Sequence, residues 1–388
     1  MRKIAAFTGT RADWGLLSPI CRALADRTDT DVTVVATNMH LSPRFGHTID
    51  EIRADGFSPV ELPMDADADT DAARVEAMGA CMAETGRLLE RLHPDVALIL
   101  GDRFEMLAIA SACLMMRVPV AHIAGGEISE GAIDDSIRHA ITKMSALHLT
   151  ATDVYRRRVM AMGEDPRMVV NTGAIGVWNL LHDTALATPG EVREFTGMDI
   201  DRRTVIVTYH PATLDDADID TRVDALTGAL DDVEGLRAVI TYPNNDARGR
   251  RVIERLKTYA AMRPGKVALV ASLGRRCYLT AIRMAGAVVG NSSSGIVEVP
   301  SAGTPTVDIG IRQRGRISAP SVIHCGDSRD EISAAIRTAL GDDMQRLAAE
   351  AHNPYARPDT LKLIVEAVVG TPLELLRRKT FHDITPLQ

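Results

Sequence analysis

The amino-acid sequence predicts an α/β protein made of two Rossmann-like, doubly wound domains that face a cleft. Apolar runs rich in Val, Ile, Leu and Ala recur along the chain without polar alternation, as in parallel strands that are buried on both faces. The segments between these runs, such as 74–92 and 103–116, repeat apolar residues at the 3.6-residue spacing of helices. Strands and helices alternate throughout each half of the 388-residue chain, which predicts one doubly wound unit in each half.

The predicted strands divide evenly between the two halves of the chain. Those of the first half are 4–8, 32–37, 96–100, 118–123, 147–151 and 168–171, and those of the second half are 205–209, 238–242, 267–271, 287–290, 306–309 and 322–325. The pattern is lost around 179–203, so we expect a first domain over 1–178, a connecting region over 179–203 and a second domain over 204–360. We expect a C-terminal helix within 361–388 to cross back to the first domain.

The composition excludes several classes of protein. A formal net charge of -8 and a pI near 5.8 argue against a nucleic-acid binder, which usually carries a basic face. The five cysteines include no Cys-x-x-Cys pair and no histidine at metal-binding spacing, which predicts free thiols, a cytoplasmic location and no metal site. The apolar stretches fall short of the roughly 20 residues of a membrane-spanning helix.

Acidic residues follow two strands of the first half. Asp102 and Arg103 come after the third predicted strand, Glu127 follows the fourth, and Asp134 and Asp135 lie shortly beyond. Each acid alone is equally well explained as a helix cap or a surface residue. Three acids that converge on one cleft would repel one another, however, and such repulsion raises the pKa of a carboxyl toward the range of a general acid or base.

Residues suited to bind an anion follow other strands. Arg11 lies at a predicted helix N-terminus, where an anion is favoured. The stretch 290–298 reads strand, three serines, glycine and helix, which provides N–H and O–H donors at a helix start, whereas a plain helix cap needs one serine. His210 ends another strand, and it is either a core histidine or a group that binds diphosphate or transfers protons. Three arginines after a later strand add positive charge: Arg312, Arg314 and Arg316.

These motifs together resemble the UDP-N-acetylglucosamine 2-epimerase family, specifically its hydrolysing branch in sialic-acid and related nonulosonate biosynthesis. Within the His-Ile-Ala-Gly-Gly-Glu motif, Ala124 stands where non-hydrolysing members carry glutamate, and the Gly-Gly-Glu form that ends in Glu127 is typical of the hydrolysing branch. The resemblance covers nearly the whole chain, and it rests on the stretches 9–13, 101–105, 122–127, 134–145, 209–211, 242–244 and 291–298.

The resemblance implies a glycosyltransferase-B-like fold whose second domain holds UDP. It implies that Asp102, Glu127 and one of Asp134 and Asp135 act on the sugar, and His210 is expected both to bind and to take part in catalysis. The residues expected to contact the substrate or its nucleotide are Arg11, Arg103, His210, Asn244, Ser292, Ser293, Ser294, Gly295, Glu298 and Arg312.

The implied reaction converts UDP-N-acetylglucosamine to UDP and free N-acetylmannosamine, by elimination of UDP to a glycal and rehydration with inversion at C2. It needs no cofactor and no metal. We expect a nucleotide sugar as the partner, no nucleic acid and no membrane, and a homo-oligomer. The alternatives are a 2-epimerase of a UDP-2,4-diacetamido-trideoxy sugar or a GDP-linked relative, and a UDP-sugar-dependent glycosyltransferase of the same fold. A non-catalytic sugar-nucleotide sensor is disfavoured, because binding an anion gains nothing from extra carboxylates.

Overall fold

Two units of the chain are described by the computed structural model, which covers residues 1–68, 70–183, 185–212, 218–243 and 248–383. Unit 1 comprises Met1–Glu127, Asp134–Asn179 and Arg357–Gln388, and unit 2 comprises Ile128–Ile133 and Leu180–Ala356. The C-terminal segment therefore belongs with unit 1. The sequence-based bounds place 128–133 in the first domain and 180–203 in a connecting region, whereas both segments group with unit 2.

Unit 1 is organised around a parallel sheet, sheet 1, in which the described residues form seven strands in the order β3-β2-β1-β4-β5-β6-β7. Its strands are β1 (Arg2–Thr8), β2 (Thr30–Thr37), β3 (Val60–Leu62), β4 (Val96–Leu100), β5 (Val120–Ile123), β6 (Leu147–Thr150) and β7 (Val169–Asn171). The helices up to its last strand are α1 (Arg11–Ala25), α2 (Ile49–Ala54), α3 (Asp71–Leu92), α4 (Phe104–Met115), α5 (Asp134–Met144) and α6 (Asp153–Ala161). Helix α7 (Ile175–His182) runs from unit 1 into the first residues of unit 2.

Unit 2 has the same architecture. The described residues form a six-stranded parallel sheet, sheet 2, in the order β10-β9-β8-β11-β12-β13. Its strands are β8 (Thr204–Thr208), β9 (Arg237–Thr241), β10 (Val267–Val270), β11 (Ala287–Gly290), β12 (Thr306–Ile309) and β13 (Val322–Cys325). Its helices are α8 (Pro189–Thr196), α9 (Ile219–Asp231), α10 (Gly249–Ala261), α11 (Gly274–Met284), α12 (Ser293–Val297), α13 (Arg329–Leu340) and α14 (Asp342–Glu350).

Each sheet is buried on both faces because successive strand residues point to opposite sides. In β1, Ile4 and Ala6 join one apolar cluster, while Ala5 and Phe7 join the cluster on the other face. Sheet 2 is likewise covered by one cluster on each face. Continuous apolar strands are what such two-sided burial requires, so the prediction of two doubly wound α/β units is confirmed.

All of the predicted strands are present, with ends that differ by at most two residues from those expected. Strand β3 was missed, because three residues at a sheet edge leave too short an apolar run to recognise. The expected C-terminal helix is divided into α15 (Thr360–Gly370) and α16 (Leu373–Leu376) by Pro372, which has no N–H to donate. Ile364 and Val368 of α15 pack into the core of unit 1 beside α1.

In the part of the chain that the structure describes, no helix is both long and apolar enough to cross a membrane.

Candidate functional site

A buried ion pair follows β4 and lies against the glycine that follows β1. Arg103 donates from Nε to Oε1 of Glu105 over 2.6 Å, and Glu105 is fully buried. Gly9, which follows β1, leaves the space for this carboxylate, because a Cβ there would lie 2.2 Å from Glu105 Oε1. The other oxygen of Glu105 has no hydrogen-bond partner among the described residues. Glu105 therefore restricts the orientation of Arg103, one of the predicted binding residues.

Asp13 lies near this ion pair in the first turn of α1. Thr10 caps the helix by accepting a hydrogen bond from the Asp13 N–H over 3.2 Å. Burial raises the pKa of Asp13 to about 6; the nearby Glu105 carboxyl also raises it, and Arg103 opposes the shift. Oδ2 of Asp13 is buried and has no hydrogen-bond partner among the described residues. Asp13 is thus a carboxyl that holds its proton in mildly acidic solution, and the sequence analysis gave it no role.

Arg11 occupies the start of α1, as expected. Its Nε lies 2.8 Å from Oε1 of Glu51, and both side chains are more than one-third exposed. An ion pair this exposed contributes little to stability and exchanges readily with other anions. Arg11 therefore remains accessible to an anionic ligand at this helix N-terminus.

Arg138 gathers the predicted acids of unit 1. It lies in α5 and is only 1% exposed, and its guanidinium donates to the carboxylates of Asp102 and, over 3.3 Å, of Asp135. The same group donates to the main-chain oxygen of Glu127 over 3.0 Å. The ends of β4 and β5 and the start of α5, which begins at Asp134, are therefore held by one buried side chain. The mutual repulsion expected among the acids is offset by this positive charge.

A buried histidine fixes the loop that leads to Glu127. His122 donates from Nε2 to the carbonyl of Gly101 over 2.7 Å, so its Nδ1 accepts from the Thr142 hydroxyl over 3.2 Å. Burial lowers the pKa of His122 to about 4, which keeps this ring neutral at physiological pH. The next residue but one, Ala124, has a φ of +66°, a left-handed conformation that is uncommon for a residue with a Cβ and is often found at functional sites.

The loop is closed by glycine and by a second arginine. Gly126 has a φ of +80°, and a Cβ there would lie 2.7 Å from the carbonyl oxygen of Tyr155. Arg158 donates to the Gly126 carbonyl. Glu127 follows directly and is 5% exposed, so its backbone is held on both sides.

In unit 2, the ends of β8 and β11 are joined by an asparagine. Asn291 accepts from the His210 N–H over 2.7 Å and donates to the His210 carbonyl over 2.8 Å. The main-chain oxygen of Asn291 accepts from Arg312 over 3.1 Å and from Gln313 over 2.8 Å. His210, the serine stretch and Arg312 are therefore brought together around a single residue.

The serines begin helix α12, as the sequence predicted. Ser292 is the N-cap, and Ser293, Ser294 and Gly295 form the first turn. The hydroxyls of Ser294 and Tyr278 lie 2.6 Å apart, and burial, with a further contribution from Glu298, raises the pKa of the Tyr278 phenol. Neutral hydroxyls and helix N–H groups are thus collected at the end of β11.

The predicted site residues consequently fall into two groups. The structure brings Asp102, Glu127 and Asp135 together around Arg138 in unit 1, with Asp134 at the start of the same helix. It brings His210, Ser292, Ser293, Ser294, Gly295, Glu298 and Arg312 together in unit 2. Asn244 lies outside the described residues. The roles assigned to all of these residues stay predictions.

The residues that hold the site in place were missed. Arg138, Glu105, Asn291, Gln313 and Tyr278 received no role, although the first three lie within motifs that carried the resemblance. A positioning residue has no spacing of its own to recognise, since its role depends on contacts that only the fold creates. A charged residue inside an otherwise buried helix face, such as Arg138, is the one signal that was available.

Among the described residues, no group of three or more His, Cys, Asp and Glu side chains is placed to hold a metal ion.

Comparisons with known proteins agree on the family. The family model described as UDP-N-acetylglucosamine 2-epimerase matches residues 22–369. The chain is 35% identical over 322 residues to the GDP/UDP-N,N'-diacetylbacillosamine 2-epimerase (hydrolyzing) of Campylobacter jejuni, covering 83% of this chain and 84% of that protein. It is 31% identical over 343 residues to a UDP-N-acetylglucosamine 2-epimerase of Neisseria meningitidis, covering 87% and 88%.

The fold is also found among solved structures. The UDP-GlcNAc 2-epimerase of Methanocaldococcus jannaschii, solved in complex with UDP-GlcNAc and UDP, superposes with a TM-score of 0.78 at 18% identity, covering 95% of this chain and all of that one. Since the family model spans most of the chain and curated relatives exceed 30% identity over more than four-fifths of it, the chain belongs to the UDP-N-acetylglucosamine 2-epimerase family.

Proposed function

We propose that this protein is a hydrolysing 2-epimerase that converts a UDP-2-acetamido sugar to UDP and the free sugar inverted at C2. The observation that carries the proposal is the cluster in which Arg138 contacts Asp102, Asp135 and the backbone of Glu127. A protein that only bound a nucleotide sugar would gain nothing from three clustered acids, since negative charges repel a diphosphate. A reaction that removes and returns a proton on carbon needs such groups.

In the proposed elimination, a carboxylate removes the proton on C2 while the C1–O bond breaks. The electron pair of the C2–H bond forms the C1–C2 double bond of a glycal, and the diphosphate oxygen leaves with the pair of the broken bond. Asp102 suits the role of base, because contact with the Arg138 guanidinium stabilises its charged form.

In the proposed rehydration, an acid on the opposite face delivers a proton to C2 and water adds its hydroxyl group to C1. The remaining proton of the water replaces the one that the acid gave up. Glu127 and one of Asp134 and Asp135 are our candidates for this acid. Inversion at C2 requires two groups on opposite faces. Asp102 follows β4, whereas the candidate acids follow β5, so separate connections supply the two carboxyls. Each such group typically contributes about 10²–10⁴-fold to the rate.

We assign the leaving UDP to unit 2. The hydroxyls and N–H groups at the start of α12, together with Arg312, supply donors for a departing diphosphate. His210 is placed beside them by Asn291, and Glu298, one turn along, is our candidate for the ribose hydroxyls. Donors of this kind hold the diphosphate both before and after the bond breaks, so they contribute mainly to binding.

The substrate we propose is UDP-N-acetylglucosamine, which would yield N-acetylmannosamine for sialic-acid biosynthesis. A second candidate is UDP-N,N'-diacetylbacillosamine, a 2,4-diacetamido-trideoxy sugar. It is favoured because two relatives, at 35% and 32% identity, are named as hydrolysing 2-epimerases of that sugar. The cytoplasmic location and the homo-oligomer expected from the sequence stay predictions.

The test is turnover in D2O, with each candidate UDP-sugar and its GDP analogue, followed by proton NMR of the products. Elimination and rehydration places deuterium at C2 of the released sugar, so the C2 proton signal is lost and the C1 signal loses its coupling. A free sugar with its C2 proton and configuration retained would reject epimerisation and leave a hydrolase. A glycoside formed with an added acceptor would instead identify a glycosyltransferase.

A further inference from the structure

Asn291 connects every described element of unit 2 to which we assign a nucleotide contact. We infer that Asn291 is a positioning residue, whose side-chain amide and main-chain carbonyl hold the His210, serine and Arg312 segments in the arrangement that binds a nucleoside diphosphate. The inference rests on the proposed function, and it assigns to Asn291 no contact with the substrate.

The side-chain amide of Asn291 is used fully on one neighbour. Its Oδ1 and Nδ2 take the N–H and the carbonyl of His210 at 2.7 and 2.8 Å, and the residue is only 2% exposed. An asparagine amide paired in this way with the N–H and the C=O of one residue imitates the pairing of two strands beyond the point where β8 and β11 end. It thus fixes the direction in which His210 leaves the sheet.

The main chain of Asn291 holds two further segments. Its N–H donates to the Thr208 carbonyl over 3.2 Å, which continues the ladder between β8 and β11. Its carbonyl accepts from both Arg312 and Gln313, the latter at 2.8 Å and only 2% exposed. Because Ser292 follows directly, a displacement of Asn291 moves the start of α12 and the Arg312 segment together.

The preceding residue permits this close approach. Gly290 has a φ of +140°, and a Cβ there would lie 1.9 Å from the Thr208 carbonyl oxygen. Glycine at 290 thus lets the end of β11 press against the end of β8, and Asn291 then joins the two loops. These contacts hold groups that we assign to nucleotide binding, so their loss should appear as weaker binding rather than as slower chemistry.

The decisive experiment compares Asn291→Ala with a matched amide deletion at the other end of the same strand. The Gln345 amide donates to the carbonyls of Gly286, which precedes β11, and of Ala339, each at 2.7 Å. Asn291→Ala loses two hydrogen bonds of its side-chain amide in unit 2. Gln345→Ala loses the two it donates and one that its Oε1 accepts from Arg202 over 3.0 Å, so it is at least as disruptive a control. For each variant, UDP affinity is measured by calorimetry, and KM, kcat and the unfolding temperature are measured alongside.

We expect Asn291→Ala to weaken UDP binding at least tenfold and to raise KM by a similar factor, while kcat changes less than threefold. Gln345→Ala should keep UDP affinity within twofold of the original even where its unfolding temperature falls as far. Unchanged UDP affinity in Asn291→Ala, or an equal loss in Gln345→Ala, overturns the inference. Failure of the unaltered protein to bind UDP would instead refute the proposed function.

A milder variant decides the matter where Asn291→Ala does not fold. Gln313→Met keeps the length of the side chain and removes only the donor to the Asn291 carbonyl. We expect UDP affinity to fall about three- to tenfold, with kcat unchanged within twofold. UDP affinity equal to that of the original protein would overturn the role of the Asn291 carbonyl.

Discussion

The carboxyl ends of sheet 1 and sheet 2 carry different polar side chains on similar frames. At the end of sheet 1 the described side chains are acids held by arginines, with Arg138 on Asp102 and Asp135, and Arg103 on Glu105. At the end of sheet 2, neutral hydrogen bonds join Asn291 to His210 and Ser294 to Tyr278, and Arg312 donates to the Asn291 carbonyl. The two units thus share a fold and differ in the charge of the groups that their strands present.

That difference separates two chemical tasks. Carboxylates that are restrained by arginines suit the transfer of protons, because they are held ionised and in a fixed position where they can accept a proton. Neutral donors at a helix N-terminus suit the binding of an anion, because they attract a diphosphate without needing to be neutralised first. A shared doubly wound frame therefore says little about function, and the residues at the strand ends carry the information.

The largest effect is expected from removing Arg138. Arg138→Met leaves Asp102 and Asp135 without their buried counter-charge, so we expect kcat to fall by about 10³-fold or more, with UDP affinity within twofold. The free energy of unfolding should fall by about 3–5 kcal/mol, the usual cost of breaking a buried pair. Steady-state kinetics, calorimetry with UDP and urea unfolding measure the three quantities.

A surface arginine of the same unit provides the control. Arg87 is 63% exposed and pairs with Glu84 in α3. Arg87→Met should change kcat by less than twofold and the free energy of unfolding by less than about 1 kcal/mol. If UDP affinity in Arg138→Met fell by the same factor as kcat, the proposal that unit 1 serves catalysis and unit 2 serves binding would be contradicted.

The acids themselves should give the next largest effect. We expect Asp102→Asn and Glu127→Gln each to lower kcat by about 10²-fold, within the usual contribution of an acid–base group, and to leave UDP affinity nearly unchanged. Both replacements keep the size of the side chain. Kinetics together with UDP calorimetry measure the effect, and near-normal turnover in both variants would return these acids to helix capping and surface solvation.

The fold of the two units could be predicted from the sequence, because strands buried on both faces consist of continuous apolar residues. Runs such as 96–100 and 287–290 have no polar position to break them, and their structural bounds agree with those expected. The polar residues at the strand ends could be located as well, because glycines and polar residues interrupt the apolar pattern where each strand passes into the following helix. Strand β3 was missed because its three residues are too few to show the apolar pattern. The break at Pro372 was missed because one residue interrupts a helix whose apolar pattern continues beyond it.

The contacts around the site could not be predicted, because they join residues far apart in the chain. Asp102 and Arg138 are 36 positions apart, and His210 and Asn291 are 81 apart. The sequence predicts repulsion among three acids, and nothing in its pattern places an arginine between them. Charge balance in a buried cluster is a property of the folded arrangement, and composition alone does not reveal it.

A smaller effect is expected from the end of sheet 2, where the variants should lower UDP affinity rather than kcat. Ser293→Ala and Glu298→Ala should each weaken UDP binding about tenfold, because each removes a group that we assign to the nucleotide, while kcat falls less than threefold. Calorimetry with UDP and steady-state kinetics measure both quantities. Unchanged UDP affinity in both variants would contradict the assignment of the nucleotide to the start of α12 and to unit 2.

The last effect concerns the stability of unit 1 and its dependence on pH, rather than activity. The pKa of Asp13 is raised to about 6 by burial, so its ionisation opposes folding. Its stabilising contribution is therefore complete below about pH 3.8, its unshifted value, and is lost as the pH rises through about 6. Asp13→Asn cannot ionise, so the variant should gain stability relative to the original protein as the pH rises from 4 to 7, by about 2 kcal/mol.

Trp14 and Trp178, both tryptophans of the chain, belong to unit 1, so their fluorescence during urea unfolding follows that unit. Asp71→Asn, at a side chain that is 97% exposed, serves as the control and should shift the free energy of unfolding by less than about 0.5 kcal/mol throughout. A difference between Asp13→Asn and the original protein that stays constant from pH 4 to 7 would mean that Asp13 titrates as an ordinary surface acid. The carboxyl end of sheet 1 would then hold no proton in mildly acidic solution, and its contrast with sheet 2 would rest on the arginine-held acids alone.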